Sequence, residues 1–191
     1  MKSVLSFAVA LSAFVATPTL ASTIMFTGNT VGGPTYNRAI ANGNNAPTSL
    51  SGVGTAVRYA VTSFTVGQSG AYFFFNGTNY DSYLGIHRNL FNPLNALQNA
   101  VAYSDDFNLT LDAGFSGLNL LAGTSYFAVS SGFDNNDFGA FTLTVSGPGV
   151  IRGGNPIGPV PEPTVWGLMI VGFGLIGSML RREHKKVALA I

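Results

Sequence analysis

The chain has 191 residues, of which 9% are charged and 47% hydrophobic, with 24 glycines and no cysteine. So little charge beside so many aromatics excludes a disordered chain, and the missing cysteine excludes a thiol nucleophile, a disulfide framework and a Cys-based zinc site. The formal charge of +1 is unevenly spread: between the two ends only Arg38, Arg58, Arg88 and Arg152 stand against six aspartates, so nothing points to nucleic acid as a partner.

The N-terminus has the build of a signal peptide helix over residues 1–21. Lys2 supplies a basic start, Val4 to Val15 is an apolar run of signal-peptide length, and Pro18 breaks the helix. Thr19-Leu20-Ala21 then fits the small-x-small cleavage rule, which places the cut between Ala21 and Ser22.

Residues 22–146 read as one domain of short strands between turn clusters. The opening run STIMFTG is followed by an Asn-, Gly- and Pro-rich excursion over 29–50. AVRYAVTSFTV, residues 56–66, alternates, with Val57, Tyr59 and Val61 on one face and Arg58, Ala60 and Thr62 on the other. Further strand-like runs are GAYFFFNG, DSYLGIHR, NAVAYSDD, FNLTLDAG, SGLNLLAG, SYFAVSSGF and GAFTLTVSG. Strands at this spacing, without helical periodicity, predict an all-β antiparallel β-sandwich.

Little in this domain looks catalytic. Its one histidine, His87, sits in a strand-like run, and GQSGA and GFSGL both miss the spacing of a nucleophile elbow. Asp105, Asp106, Asp134 and Asp137 fall in two Asn/Asp-rich loops, with Asp81 in a third. Hard carboxylate oxygens suit Ca²⁺, and Asp and Asn equally serve as turn formers that bond their local backbone. Both readings stand at this point; the spacing is not that of an EF-hand. A glycosidase built on aspartates alone is disfavoured by the absence of glutamate from the domain. The many aromatics supply a core, and exposed ones offer surfaces for stacking on sugars.

Residues 147–163 hold five of the nine prolines and read as an extended linker. The uncharged run from Val165 to Leu180 would reach about 24 Å as a helix, marginal against a hydrocarbon core of about 30 Å. Trp166 at one end and Arg181 and Arg182 at the other anchor it as a transmembrane helix within 164–191, basic side cytoplasmic. Gly172-Phe173-Gly174-Leu175-Ile176-Gly177 spells a dinucleotide fingerprint, but that mechanism needs a preceding strand and a βαβ unit, and the flanks here are membrane-like. Pro161 and Pro163 hold Glu162 in an extended segment just outside the apolar run.

The order Val160-Pro161-Glu162-Pro163, Trp166, a glycine-bearing apolar run and Arg181-Arg182 strongly resembles the PEP-CTERM sorting signal of Gram-negative bacteria. The resemblance implies an exosortase as partner, an integral membrane transpeptidase that cuts near Pro-Glu-Pro, and residence in the inner membrane until that cut. Such substrates usually come from bacteria that make exopolysaccharide. Tyr80-Asp81-Ser82-Tyr83-Leu84, Phe91-Asn92-Pro93 and Asp105-Asp106-Phe107, continued by residues 120–145, resemble the jelly-roll modules of the bacterial pre-peptidase C-terminal (PPC) type. That resemblance implies a jelly-roll-like accessory module rather than an enzyme. The expected function is an exported, non-enzymatic protein of the cell envelope or extracellular matrix, with extracellular polysaccharide as a second partner. The alternative is a glycan- or calcium-binding adhesion module that stays membrane-anchored.

Overall fold

The computed structural model describes residues 21–154, and among them it holds ten strands and no helix. They are β1 (Ala21–Asn29), β2 (Thr35–Tyr36), β3 (Val57–Val66), β4 (Gly70–Thr78), β5 (Ser82–Arg88), β6 (Ala100–Ser104), β7 (Ala113–Leu120), β8 (Ser125–Gly132), β9 (Ala140–Pro148) and β10 (Ile151–Gly153). The helices expected over 1–21 and 164–191 fall outside the described residues, apart from Ala21, which opens β1. No helix among the described residues is long and apolar enough to cross a membrane.

Two antiparallel sheets pack face to face. One runs β1-β9-β4-β7; the other runs β10-β3-β8-β5-β6, with β2 also pairing β3. Alternation explains why. In β9, Phe141, Leu143 and Val145 are buried and the residues between them are not; in β4, Tyr72, Phe74 and Asn76 are buried. Pairing of Phe74 with Val145 puts both sets on one face, and a one-residue slip would turn them to solvent. Phe26, Phe74, Phe115 and Leu143 from the first sheet meet Phe64, Leu84, Ile86 and Tyr126 from the second in a single cluster. Phe64 and Phe74 touch across the gap with ring centroids 5.7 Å apart. Burying each such side chain stabilises the fold by about 1.5–3 kcal/mol.

The second sheet is covered on its other face as well. Val57, Tyr59 and Val61 do share a face, as their alternation predicts, but it is this outer one. There they pack with Tyr36, Phe91, Ala96 and Val129, while Phe64 and Val66 turn inward. Ala39, Tyr83 and Tyr103 form a neighbouring cluster on the same side. The excursion over 29–50 is therefore a lid on the sheet. It is mostly irregular, but Ala39 bridges Leu50 and Ser51 N–H donates to Arg38 O at 2.8 Å.

Two expectations are corrected. FNLTLDAG is not a strand: residues 107–112 form a tight loop closed by Phe107 N–H to Asp112 O at 2.8 Å. Asn108 and Leu109 have φ of 53° and 64°, the left-handed region, which no strand allows. The linker also starts later than Gly147. β9 continues to Pro148, β10 pairs with β3 through Ile151↔Val66, and Gly154 N–H donates to Ser63 O at 3.1 Å. Proline and glycine density hid this, because Gly149 at φ 73° makes the turn between the two strands. Ile151 is buried in the central cluster, so Ile151→Ala should destabilise the protein by about 2–4 kcal/mol. Urea melts check this through a lower midpoint at unchanged slope; a true linker position would show no shift.

Candidate functional site

The β5–β6 hairpin assembles three aspartates. Leu84 pairs with Ser104, so the residues just before β5 and just after β6 lie at the same end of the sheet. Asp81 is on one side of that end and Asp105 and Asp106 on the other. One carboxylate oxygen from each of the three lies within 4.8 Å of the other two. Asp81 Oδ1 and Asp105 Oδ1 are buried and have no hydrogen-bond partner. An orphaned buried carboxylate oxygen is costly, and a bound cation removes that cost.

The electrostatics match the geometry. Asp81 is pushed up to about 6, first by burial and then by the charges of Asp105, Asp137 and Asp106, with Arg38 opposing. Asp105 is raised as well, by burial first and then by Asp106, again with Arg38 opposing. Arg38 is itself buried and committed elsewhere. Its Nε donates to Phe133 O at 2.8 Å, its Nη1 donates to Ala39 O at 3.3 Å, and the guanidinium lies 3.8 Å over the Tyr83 ring. It tempers Asp81 and Asp105 through space.

The four aspartates singled out from the sequence do not form one site. Asp105 and Asp106 join Asp81, whereas Asp134 and Asp137 shape their own loop. Asp134 Oδ1 accepts from Asn136 N–H at 2.7 Å, and Asp137 Oδ2 accepts from Asp134 N–H at 3.0 Å. For that pair the turn-forming role describes what the carboxylates do. Asp81 was visible as a third loop aspartate, but only the hairpin register shows which loops meet.

His87 is buried with both ring nitrogens engaged. Nδ1 lies 3.1 Å from Gln98 O, a pure acceptor, so Nδ1 carries the proton; Nε2 then accepts from Tyr103 Oη at 2.7 Å. Phe91 edges the ring at 4.8 Å. Burial lowers His87 to about 4 despite the Gln98 bond. Asn76-Gly77-Thr78 has the form of a glycosylation sequence but is closed to modification, because Asn76 is buried and its Oδ1 accepts from Ser130 Oγ at 3.0 Å. The sorting residues Val160, Pro161, Glu162, Pro163, Trp166, Arg181 and Arg182 lie outside the described residues. Ala21 and Ser22 open β1, paired with Pro148 and Gly147. No protein-family model, curated protein or solved structure matches the chain.

Asp81 and His87 act on stability with opposite sign. Asp81 titrates near 6 folded and 3.8 unfolded. Across that window the folded chain holds a proton that the unfolded chain has released, so stability falls as pH rises. His87 titrates near 4 folded and 6.5 unfolded, so its contribution is lost as pH falls through that window. In EDTA at about pH 7.5, Asp81→Asn should therefore melt higher than wild type, with the gap closing towards pH 4. A gap of constant size across this range contradicts the charge crowding.

Proposed function

We propose that this chain is an exported, non-enzymatic β-sandwich protein of the cell envelope or extracellular matrix. It is sorted by an exosortase through its C-terminal signal and works in association with exopolysaccharide. The carrying observation is the ordered tail: Val160-Pro161-Glu162-Pro163, Trp166, the glycine-bearing apolar run, and Arg181-Arg182. The fold supports the reading in two ways. With β2 and β10 set aside, the sheets read β1-β9-β4-β7 and β3-β8-β5-β6, with most connections crossing between sheets. That strand order supports a jelly roll of the kind the PPC resemblance implies. The buried hydrophobic residues described run from Phe26 to Ile151, so cuts after Ala21 and near Pro-Glu-Pro remove none of them.

The tail is tested by changing Pro161, Glu162 and Pro163 together to alanine. Uncut protein should accumulate in the inner membrane with its tail attached, while its melt stays that of wild type, because the motif lies beyond the last strand of the described residues. Exported wild-type protein should begin at Ser22 on N-terminal sequencing. Release of the triple variant at wild-type size overturns the sorting reading.

A second reading is favoured by the orphaned oxygens of Asp81 and Asp105: a Ca²⁺ site formed by Asp81, Asp105 and Asp106. Oxygens each about 2.3–2.6 Å from one ion lie no more than about 5 Å apart, and those of the trio lie within 4.8 Å. Calcium at 100 times its dissociation constant would stabilise the fold by about 2.7 kcal/mol. The melting temperature should rise with millimolar calcium, fall back in EDTA, and cease to respond in Asp81→Asn while still responding in Asp134→Ala. A wild-type melt indifferent to calcium removes this reading.

A further inference from the structure

The outer face of the four-stranded sheet is a site that neither the acidic trio nor the tail uses. Register builds it. Pairing places Thr23, Ser146 and Phe73 in one cross-strand row, Met25, Thr144 and Phe75 in the next, and Thr27, Thr142 and Gly77 in a third. These residues alternate with Phe26, Phe74, Leu143 and Val145, which face the core, so all nine share the opposite face. Successive rows lie roughly 7 Å apart and neighbouring strands about 4.8 Å apart. None of the nine is charged, and five carry hydroxyls. The middle strand, β9, gives an unbroken column of them: Thr142, Thr144 and Ser146.

Aromatic rings border this column. Phe73 and Phe75 stand half-buried on β4, and Phe107 from the 105–112 loop edges both, with centroids at 5.8 and 6.5 Å. At the third row the face opens into a groove of about 570 Å³, lined by Thr27, Gly77, Thr78, Asp112 and Thr142 among others. Its floor is low because Gly77 has no side chain; a Cβ there would sit 3.1 Å from the Phe75 ring. Asp112 is fixed at the rim, its Oδ1 accepting from Thr78 N–H at 2.8 Å.

We infer that this face binds a neutral polysaccharide. Each hydroxyl offers one donor and two acceptors, and a polyol chain presents the same groups at short repeats. The apolar CH faces of its sugar rings stack on Phe73 and Phe75. Charge decides between classes of glycan. The nine residues and the groove lining include no lysine or arginine, and Asp112 is the only ionisable group among them. An anionic polymer would meet no cation there and one carboxylate, whereas a neutral one loses nothing. A protein partner would want an apolar centre within a polar rim; here the centre is the hydroxyl column. The inference rests on the described sandwich and does not depend on how the tail is processed.

The test is affinity electrophoresis of the exported protein in native gels cast with dextran, barley β-glucan or galactomannan, with alginate as the anionic control. At least one neutral polymer should retard the protein, and high salt should leave the retardation unchanged, since no ion pair is involved. Phe75→Ala should weaken retention roughly tenfold. Because Phe75 is half-buried, a second variant guards against misfolding: Thr27→Val with Thr142→Val removes two hydroxyls, keeps the β-branched shape, and should weaken retention to a similar degree. Mobility unaffected by all three neutral polymers overturns the inference. So does retention by alginate alone, or retention undiminished in the double threonine variant.

Discussion

Burial of the six-stranded sheet on both faces sets the terms for the rest of the molecule. β5 has six consecutive buried residues, Ser82 to His87, so polar side chains that alternation would place in water are instead enclosed. A buried polar group must find a partner or it opposes folding. His87 finds Gln98 O and Tyr103 Oη; Arg38 finds Phe133 O and Ala39 O. Two of these bonds hold covering loops in place: Arg38 ties residues 29–50 to Phe133, just past β8, and His87 ties the loop at Gln98 to β5. The lid keeps only short ladder-like pairings, β2 with β3, Ala39 with Leu50 and Gly43 with Tyr103.

The same burial leaves the acidic end of the sheet short of positive charge. Arg38 is the one cation that tempers both Asp81 and Asp105, and its guanidinium is spent on carbonyls and on the Tyr83 ring. A carboxylate crowded by others and removed from water has two routes to relief, a proton or a cation. The raised titration of Asp81 describes the first. The 4.8 Å spread of oxygens fits the second. The two would compete for the same atoms, so any calcium affinity of the trio would weaken as pH falls through the Asp81 range.

Much of this fold was legible because strand alternation is a local property. The run at 140–148 shows it directly, with Phe141, Leu143 and Val145 at every second place, whereas 70–78 carries four consecutive aromatics and 57–66 turns its apolar residues to opposite faces before and after Thr62. FNLTLDAG alternates too, yet forms a loop. Its Leu109 and Leu111 are exposed, and besides the local Phe107–Asp112 bond it is held by Ser82 N–H to Leu111 O at 2.9 Å and Thr78 N–H to Asp112 Oδ1 at 2.8 Å, partners that a window of sequence does not contain. β10 was hidden for the opposite reason: three residues suffice because β3 was already in place to receive them. The candidate site was half legible. Residue type showed that aspartates gathered in loops, and only register showed that Asp81 belongs with Asp105 and Asp106.

The loop from Asp105 to Asp112 joins the acidic trio to the outer face of the four-stranded sheet. Its first two residues belong to the acidic trio. Phe107 packs on Phe73 and Phe75, and Asp112 lines the groove while capping Thr78. Two consecutive left-handed residues, Asn108 and Leu109, lie between these contacts. Such a backbone persists only where its surroundings hold it, and here the holding contacts are the Phe107–Asp112 and Ser82–Leu111 backbone bonds and the ring of Phe107 against Phe73 and Phe75. Were a cation at the trio and a glycan on the threonine face both to bind, each would act on this one loop, and any coupling between them would be reciprocal.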